Sequence, residues 1–160
     1  MSTYRDGATS ADLASVNGQR FRMTALVMPA DKDYLALARL TTMHLAGLLN
    51  LPIGRVTDLR LAVNEACVLL LGAPASVLDG RGAPAKSELE LSFERGPEQL
   101  RITVRGPAPA CPPDPEDIGW LVLQALVDEV RLETVGAKTT LTLTDSLPAR
   151  SLPARSSPAR

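Results

Sequence analysis

The acid best placed to do chemistry in this chain is Glu65. It lies within Thr57–Leu71, TDLRLAVNEACVLLL, where Leu59, Ala62, Val63, Ala66, Cys67 and Leu70 recur at three- and four-residue intervals. That spacing predicts a helix with these side chains turned to the core. At about 100° per residue Glu65 falls on the flank of the stripe, with Asp58 two turns before it and Leu69 one turn after it along the same edge. An acid in this position can serve as a general base, hold a water, or simply be solvated. His44 is the single histidine. Cys67 sits in the apolar stripe and Cys111 in a proline-rich loop, which predicts two free thiols. Too few ligands of the usual kind remain for zinc, so no metal site is expected.

A chain of 160 residues with 45% hydrophobic residues suits one globular domain with a core of its own. Its formal charge of −1 gives no reason to expect a nucleic-acid or membrane surface. No basic-then-apolar leader and no stretch of about 18 apolar residues is found, so a cytoplasmic protein is expected.

Several elements must position Glu65. Residues 1–19 are polar and Ala/Ser/Gly-rich, and read as a flexible leader. Over Arg20–Met28 the residues Phe21, Met23, Ala25 and Val27 alternate with Arg20, Arg22 and Thr24, predicting a strand with the first set inward. After Pro29, Asp31 or Asp33 can cap a helix with Tyr34, Leu37, Ala38, Thr41, Leu45 and Leu48 on its buried face, leaving Arg39 exposed. A short turn at Asn50 and Pro52 leads into the Glu65 helix, from near Ile53 to Gly72. Its last residues, Val68–Leu71, are apolar all round, which implies deep burial or association, including association of two copies. Gly72–Lys86 reads as a mobile connection. Leu89, Leu91 and Phe93, the turn Gly96-Pro97-Glu98-Gln99, then Leu100, Ile102 and Val104 form a hairpin with its apolar face inward. Arg105–Pro115, RGPAPACPPDP, is too rich in proline for helix or central strand. Glu116 and Asp117 open a further helix burying Ile118, Leu121, Val122, Ala125 and Leu126, closed by Asp128 and Glu129. Val130–Val135 and Lys138–Thr144 make a last hairpin around Gly136-Ala137. The end, SLPAR-SLPAR-SSPAR over 146–160, is a proline-punctuated repeat that predicts a disordered tail.

This order is that of the GHKL (histidine-kinase-like, Bergerat) ATPase fold, an α+β two-layer sandwich of helices on a mixed, mostly antiparallel sheet, here over residues 20–145. The blocks RLTTMHLAGLLNLPIGRVTDLRLAVNEAC, RGPAP, GWLVLQALVDEV and TTLTLT resemble the RsbW-type anti-sigma factors, from about Phe21 to Thr144. Such proteins sequester an alternative sigma factor and are countered by a STAS-domain anti-anti-sigma protein, on which they phosphorylate a serine.

The resemblance implies a role for Glu65 in polarising the attacking hydroxyl, and for an Asn four residues later in holding magnesium on ATP. That later position is Leu69, whose side chain has no oxygen to offer the metal. The family's Asp-x-Gly-x-Gly, which reads adenine, is replaced by Arg105-Gly106-Pro107-Ala108-Pro109, and an arginine cannot accept a hydrogen bond from the adenine amino group. Of the Gly-x-Gly at a helix start, Gly119-Trp120-Leu121 keeps one glycine, while the closing Thr is matched by Thr139 or Thr140. Arg39-Leu40-Thr41 fits the family's partner-binding arginine. The resulting expectation is an anti-sigma factor with a degenerate ATP site and no bound cofactor, with Glu65 a vestigial catalytic residue. The alternative is an active ATP- and magnesium-dependent serine-protein kinase that uses Glu65, Gly106, Gly119, Leu121, Thr139 and Thr140.

Overall fold

The hairpin alternation dictates the centre of the sheet. In the computed structural model, which describes residues 20–72, 87–109 and 113–148, strands β2 (Glu88–Arg95) and β3 (Gln99–Pro107) pair antiparallel. Leu89, Leu91, Phe93, Leu100, Ile102 and Val104 are all buried, as their period of two requires. β1 (Phe21–Pro29) adds to β2, β5 (Lys138–Ser146) to β3, and β4 (Glu129–Val135) to β5. The order is β1-β2-β3-β5-β4, and all four pairings are antiparallel. Gly136 turns the last hairpin with φ of 61°, a conformation that costs glycine little.

Three helices cover one face of this sheet: α1 (Leu35–Leu48), α2 (Ile53–Leu71) and α3 (Ile118–Leu126). α2 lies in the middle, packed on α1, α3 and β3. Its stripe is buried as its spacing predicts, with Leu59, Ala62, Val63, Ala66, Cys67 and Leu70 at no more than 1% exposure. Each fully buried leucine contributes about 1.5–3 kcal/mol. Asn50, at φ 54°, makes the tight α1–α2 turn, a left-handed conformation that asparagine tolerates.

Four expectations need correction. A bulge between Arg22 and Thr24 shifts β1 by one residue, so Met28 is buried and Leu26 partly so, while Ala25 and Val27 face out. The buried face of α1 is Leu35, Ala38, Thr42, Leu45 and Ala46, leaving Tyr34, Leu37 and Leu48 exposed. A 3-10 turn over Lys32–Tyr34, capped by Asp31 through the Asp33 N–H, precedes the helix. α3, N-capped by Asp117, buries Leu123, with Val127 just beyond its end, while Ile118, Leu121 and Ala125 are exposed. Both helices are apolar on more than one side, so periodicity alone does not select the inward face. Finally, Arg105–Pro107 belongs to central strand β3. Pairing with β2 ends at Arg105, so Pro107 faces a neighbour on one side only and its missing N–H leaves no gap in a ladder.

The proposed leader (1–19), most of the connection after Gly72 (73–86), Cys111 and residues 149–160 of the tail lie outside the described residues. No helix among those described is long and apolar enough to cross a membrane.

Candidate functional site

Glu65 and Asn64 ride the outward ridge of α2, the side the core stripe leaves free. Asn64 Nδ2 donates to Glu65 Oε1 at 3.3 Å, and Arg39 Nη1 of α1 donates to Asn64 Oδ1 at 2.9 Å. Arg39 is part-buried and tied to α2, where an exposed arginine was expected. On the other side of the ridge α3 begins. A Cβ built on Gly119 would stand 3.3 Å from Leu69 Cδ2 and 3.8 Å from Glu65 Oε2, so Glu65, Leu69 and Gly119 meet at one place.

The remaining candidates divide. Gly106 is buried on the helix side of the sheet, and a Cβ there would meet Leu89 Cδ2 at 2.6 Å and Leu70 Cβ at 3.6 Å. Glycine at this position lets α2 close onto β2 and β3. Thr139 is paired opposite Gly106, fully buried, and its Oγ1 lies 2.9 Å from Thr134 Oγ1. Thr140 points to the opposite face of the sheet and accepts from Arg105 Nε at 3.3 Å. Leu121 is 52% exposed. Among the described residues no group of three His, Cys, Asp or Glu side chains could hold a metal ion. Cys67 is a buried thiol whose burial pushes its pKa up to about 12, so it remains neutral and poorly nucleophilic.

One cluster carried no motif. Arg55, in the first turn of α2, pairs with Asp145 at the end of β5 and with Asp58 at 3.2 Å, and donates to the Leu126 carbonyl at 3.2 Å. Burial raises the Asp145 pKa, opposed by the Arg55 hydrogen bond and charge. For Arg55 the lowering effect of burial is outweighed by Asp145 and Asp58, so its pKa rises. This network joins the start of α2, the end of α3 and the end of β5. Arg55 and Asp145 are 90 residues apart, and neither sits in a pattern that announces its partner.

Beside Asn64, Glu65 and exposed Arg60, the outward side of the helix layer exposes several large apolar side chains. α1 carries Arg39 as its only residue of fixed charge, and Leu37, Leu40, Met43 and Leu48 are exposed; Leu61 and Val68 of α2 are exposed as well. The opposite face of the sheet is polar. A 180 Å³ cleft there is lined by Arg22, Glu90, Ser92, Glu94, Thr103 and Arg105.

Comparison with known proteins agrees with this architecture. Residues 28–144 match the family model described as the histidine kinase-like ATPase domain. The chain belongs to that family. Among solved structures it is similar to the RsbU and RsbW domains of Rv1364c from Mycobacterium tuberculosis, with a TM-score of 0.56 and 20% identity. The match covers 80% of this chain and 34% of that chain, so this histidine kinase-like domain corresponds to about a third of its neighbour. At this identity the likeness is one of fold, and it agrees with the RsbW resemblance of the sequence blocks. No curated protein matches the sequence.

Proposed function

We propose that this domain is an RsbW-type anti-sigma factor that acts by holding an alternative sigma factor and is displaced by a STAS-domain antagonist. In this reading it is cytoplasmic, and its ATP site is degenerate. The observation that carries the reading is the position of Leu69, whose Cδ2 would stand 3.3 Å from a Cβ placed on Gly119, beside Glu65. Hydrocarbon stands where the resemblance calls for a magnesium-binding amide, and magnesium demands oxygen in near-octahedral geometry.

Other residues support the same conclusion. Asn64 already holds one oxygen of Glu65, Arg105 is turned to the far side of the sheet, and Gly106 is taken up by packing against Leu89 and Leu70. The residues present do not fit magnesium-ATP. Exposed leucines around Arg39 suit a protein surface that docks a partner, because contiguous exposed apolar area on a small domain marks an interaction site.

The reading is tested by mixing the purified chain with the sigma factors of its own organism, with and without ATP. A stable complex that forms equally well without nucleotide, and no transfer of labelled γ-phosphate to a STAS protein, are expected. Labelling of a STAS serine would establish the kinase alternative, and recovery of neither partner would overturn the anti-sigma reading.

A further inference from the structure

A polar chain runs from α1 to the outward ridge of α2, beside the start of α3. It starts at Arg39 Nη1 on α1, passes through the Asn64 amide and ends at Glu65, whose second oxygen would stand 3.8 Å from a Cβ placed on Gly119, while the Gly119 N–H itself donates to Asp117. Chemistry gives Asn64 its orientation. Oδ1 must face the guanidinium, which can only donate, and Nδ2 must face the carboxylate, which accepts. Among the described residues no carboxylate lies within ion-pair distance of Arg39, whereas Arg55 and Arg131 both have acidic partners.

Arg39 is thus a cation bonded to a neutral amide, partly buried, with Leu37 and Leu40 exposed nearby on the same helix. A carboxylate brought to this spot competes well for it, since it adds an opposite charge and can accept two parallel N–H bonds from the guanidinium where the amide oxygen accepts one. If Arg39 turns to such an acid, Asn64 loses its donor. The amide is then free to rotate, and its bond to Glu65 is no longer fixed from the other side.

We propose that Asn64 is a relay. Engagement of Arg39 by a carboxylate on a docking protein releases Asn64, and this repositions Glu65 against Gly119 and the first turn of α3. Docking on α1 and the geometry of the degenerate pocket are then two ends of one coupling, as linkage between two sites requires. What lands on Arg39 rests on the proposed function, but the relay lies within the free chain and is measured without any partner, so either can fail alone.

The experiment is a double-mutant cycle read by ¹H–¹⁵N spectra of the full chain. Arg39→Ala is expected to move both the Asn64 side-chain amide and the Gly119 backbone amide while leaving the melting temperature nearly unchanged. In an Asn64→Ala background the Gly119 displacement caused by Arg39→Ala should fall at least about threefold. Arg39→Lys, which keeps a donor, should produce a smaller displacement than Arg39→Ala. An undiminished Gly119 displacement without Asn64, or none in either background, would overturn the relay. If Asn64→Ala does not fold, Asn64→Ser serves in the same cycle with the same expected outcomes.

Discussion

The outward side of α1 and α2 exposes Leu37, Leu40, Met43, Leu48, Leu61 and Val68 around one part-buried arginine, whereas the outer face of the sheet sets Arg22, Glu90, Glu94 and Arg105 among Ser92 and Thr103. Register places Glu90 opposite Arg105 and Glu94 opposite Arg101, so charges alternate from strand to strand. Such a surface is content in water, and cross-strand neighbours of opposite sign give it a modest stabilisation. The helix side carries Asn64, Glu65 and exposed Arg60 on α2, but its large exposed side chains are mostly aliphatic. The difference points to where the proposed partner would dock: exposed leucines gain by being covered, and a surface laced with alternating charge does not.

The largest effect should come from spoiling the apolar side. Leu40→Glu combined with Leu61→Glu is expected to cost about 2–4 kcal/mol of partner affinity, roughly 30- to 1000-fold. Both leucines are exposed, so thermal unfolding should hardly change. Thr103→Glu on the sheet face should leave binding as it is. Calorimetric titration against the partner checks both, and equal losses from the two faces would break the comparison.

Next in size is a contrast between two arginines. Arg55→Ala strands the buried Asp145 carboxylate and should cost about 2–3 kcal/mol of stability in urea unfolding, less than a fully buried pair because Arg55 is 36% exposed. Arg105→Ala removes one exposed bond to Thr140 and should cost under about 0.5 kcal/mol. Gly106→Ala follows at about 1–2 kcal/mol, since a methyl there must push the buried Leu89 aside. Its measurement separates the packing role of that glycine from any role in holding a ligand.

The smallest effect concerns Asp128, which the Ser146 hydroxyl and then the Ser146 N–H hold below the ordinary carboxylate range. A folded-state pKa below the unfolded one contributes stability above the unfolded value, and that contribution is lost as pH falls through the lowered value. Ser146→Ala should therefore raise the Asp128 pKa in an NMR titration and weaken that part of the acid dependence of stability.

Much of this architecture is legible in the sequence. The β2–β3 hairpin follows from strict alternation and the core stripe of α2 from its spacing, because each pattern is apolar on one side only. Where a segment is apolar on several sides, as in α1 and α3, composition reveals a helix but not which face turns inward. The β1 bulge inverts a face that alternation had assigned, and no residue type around Arg22 announces it. At the site, Glu65, Leu69 and Gly119 lie close together, on two helices whose approach no spacing in the sequence specifies. Arg39–Asn64 and Arg55–Asp145 escaped notice because pairs joined only by tertiary packing leave no periodic trace.

The central claim is that this helix layer grips a protein and no longer handles a metal-bound nucleotide. Its most direct test is titration of the chain with ATP and magnesium, following the fluorescence of Trp120, the neighbour of Gly119, alongside the heat of mixing. The account predicts no saturable signal up to millimolar nucleotide, and a saturable, magnesium-dependent signal would contradict it.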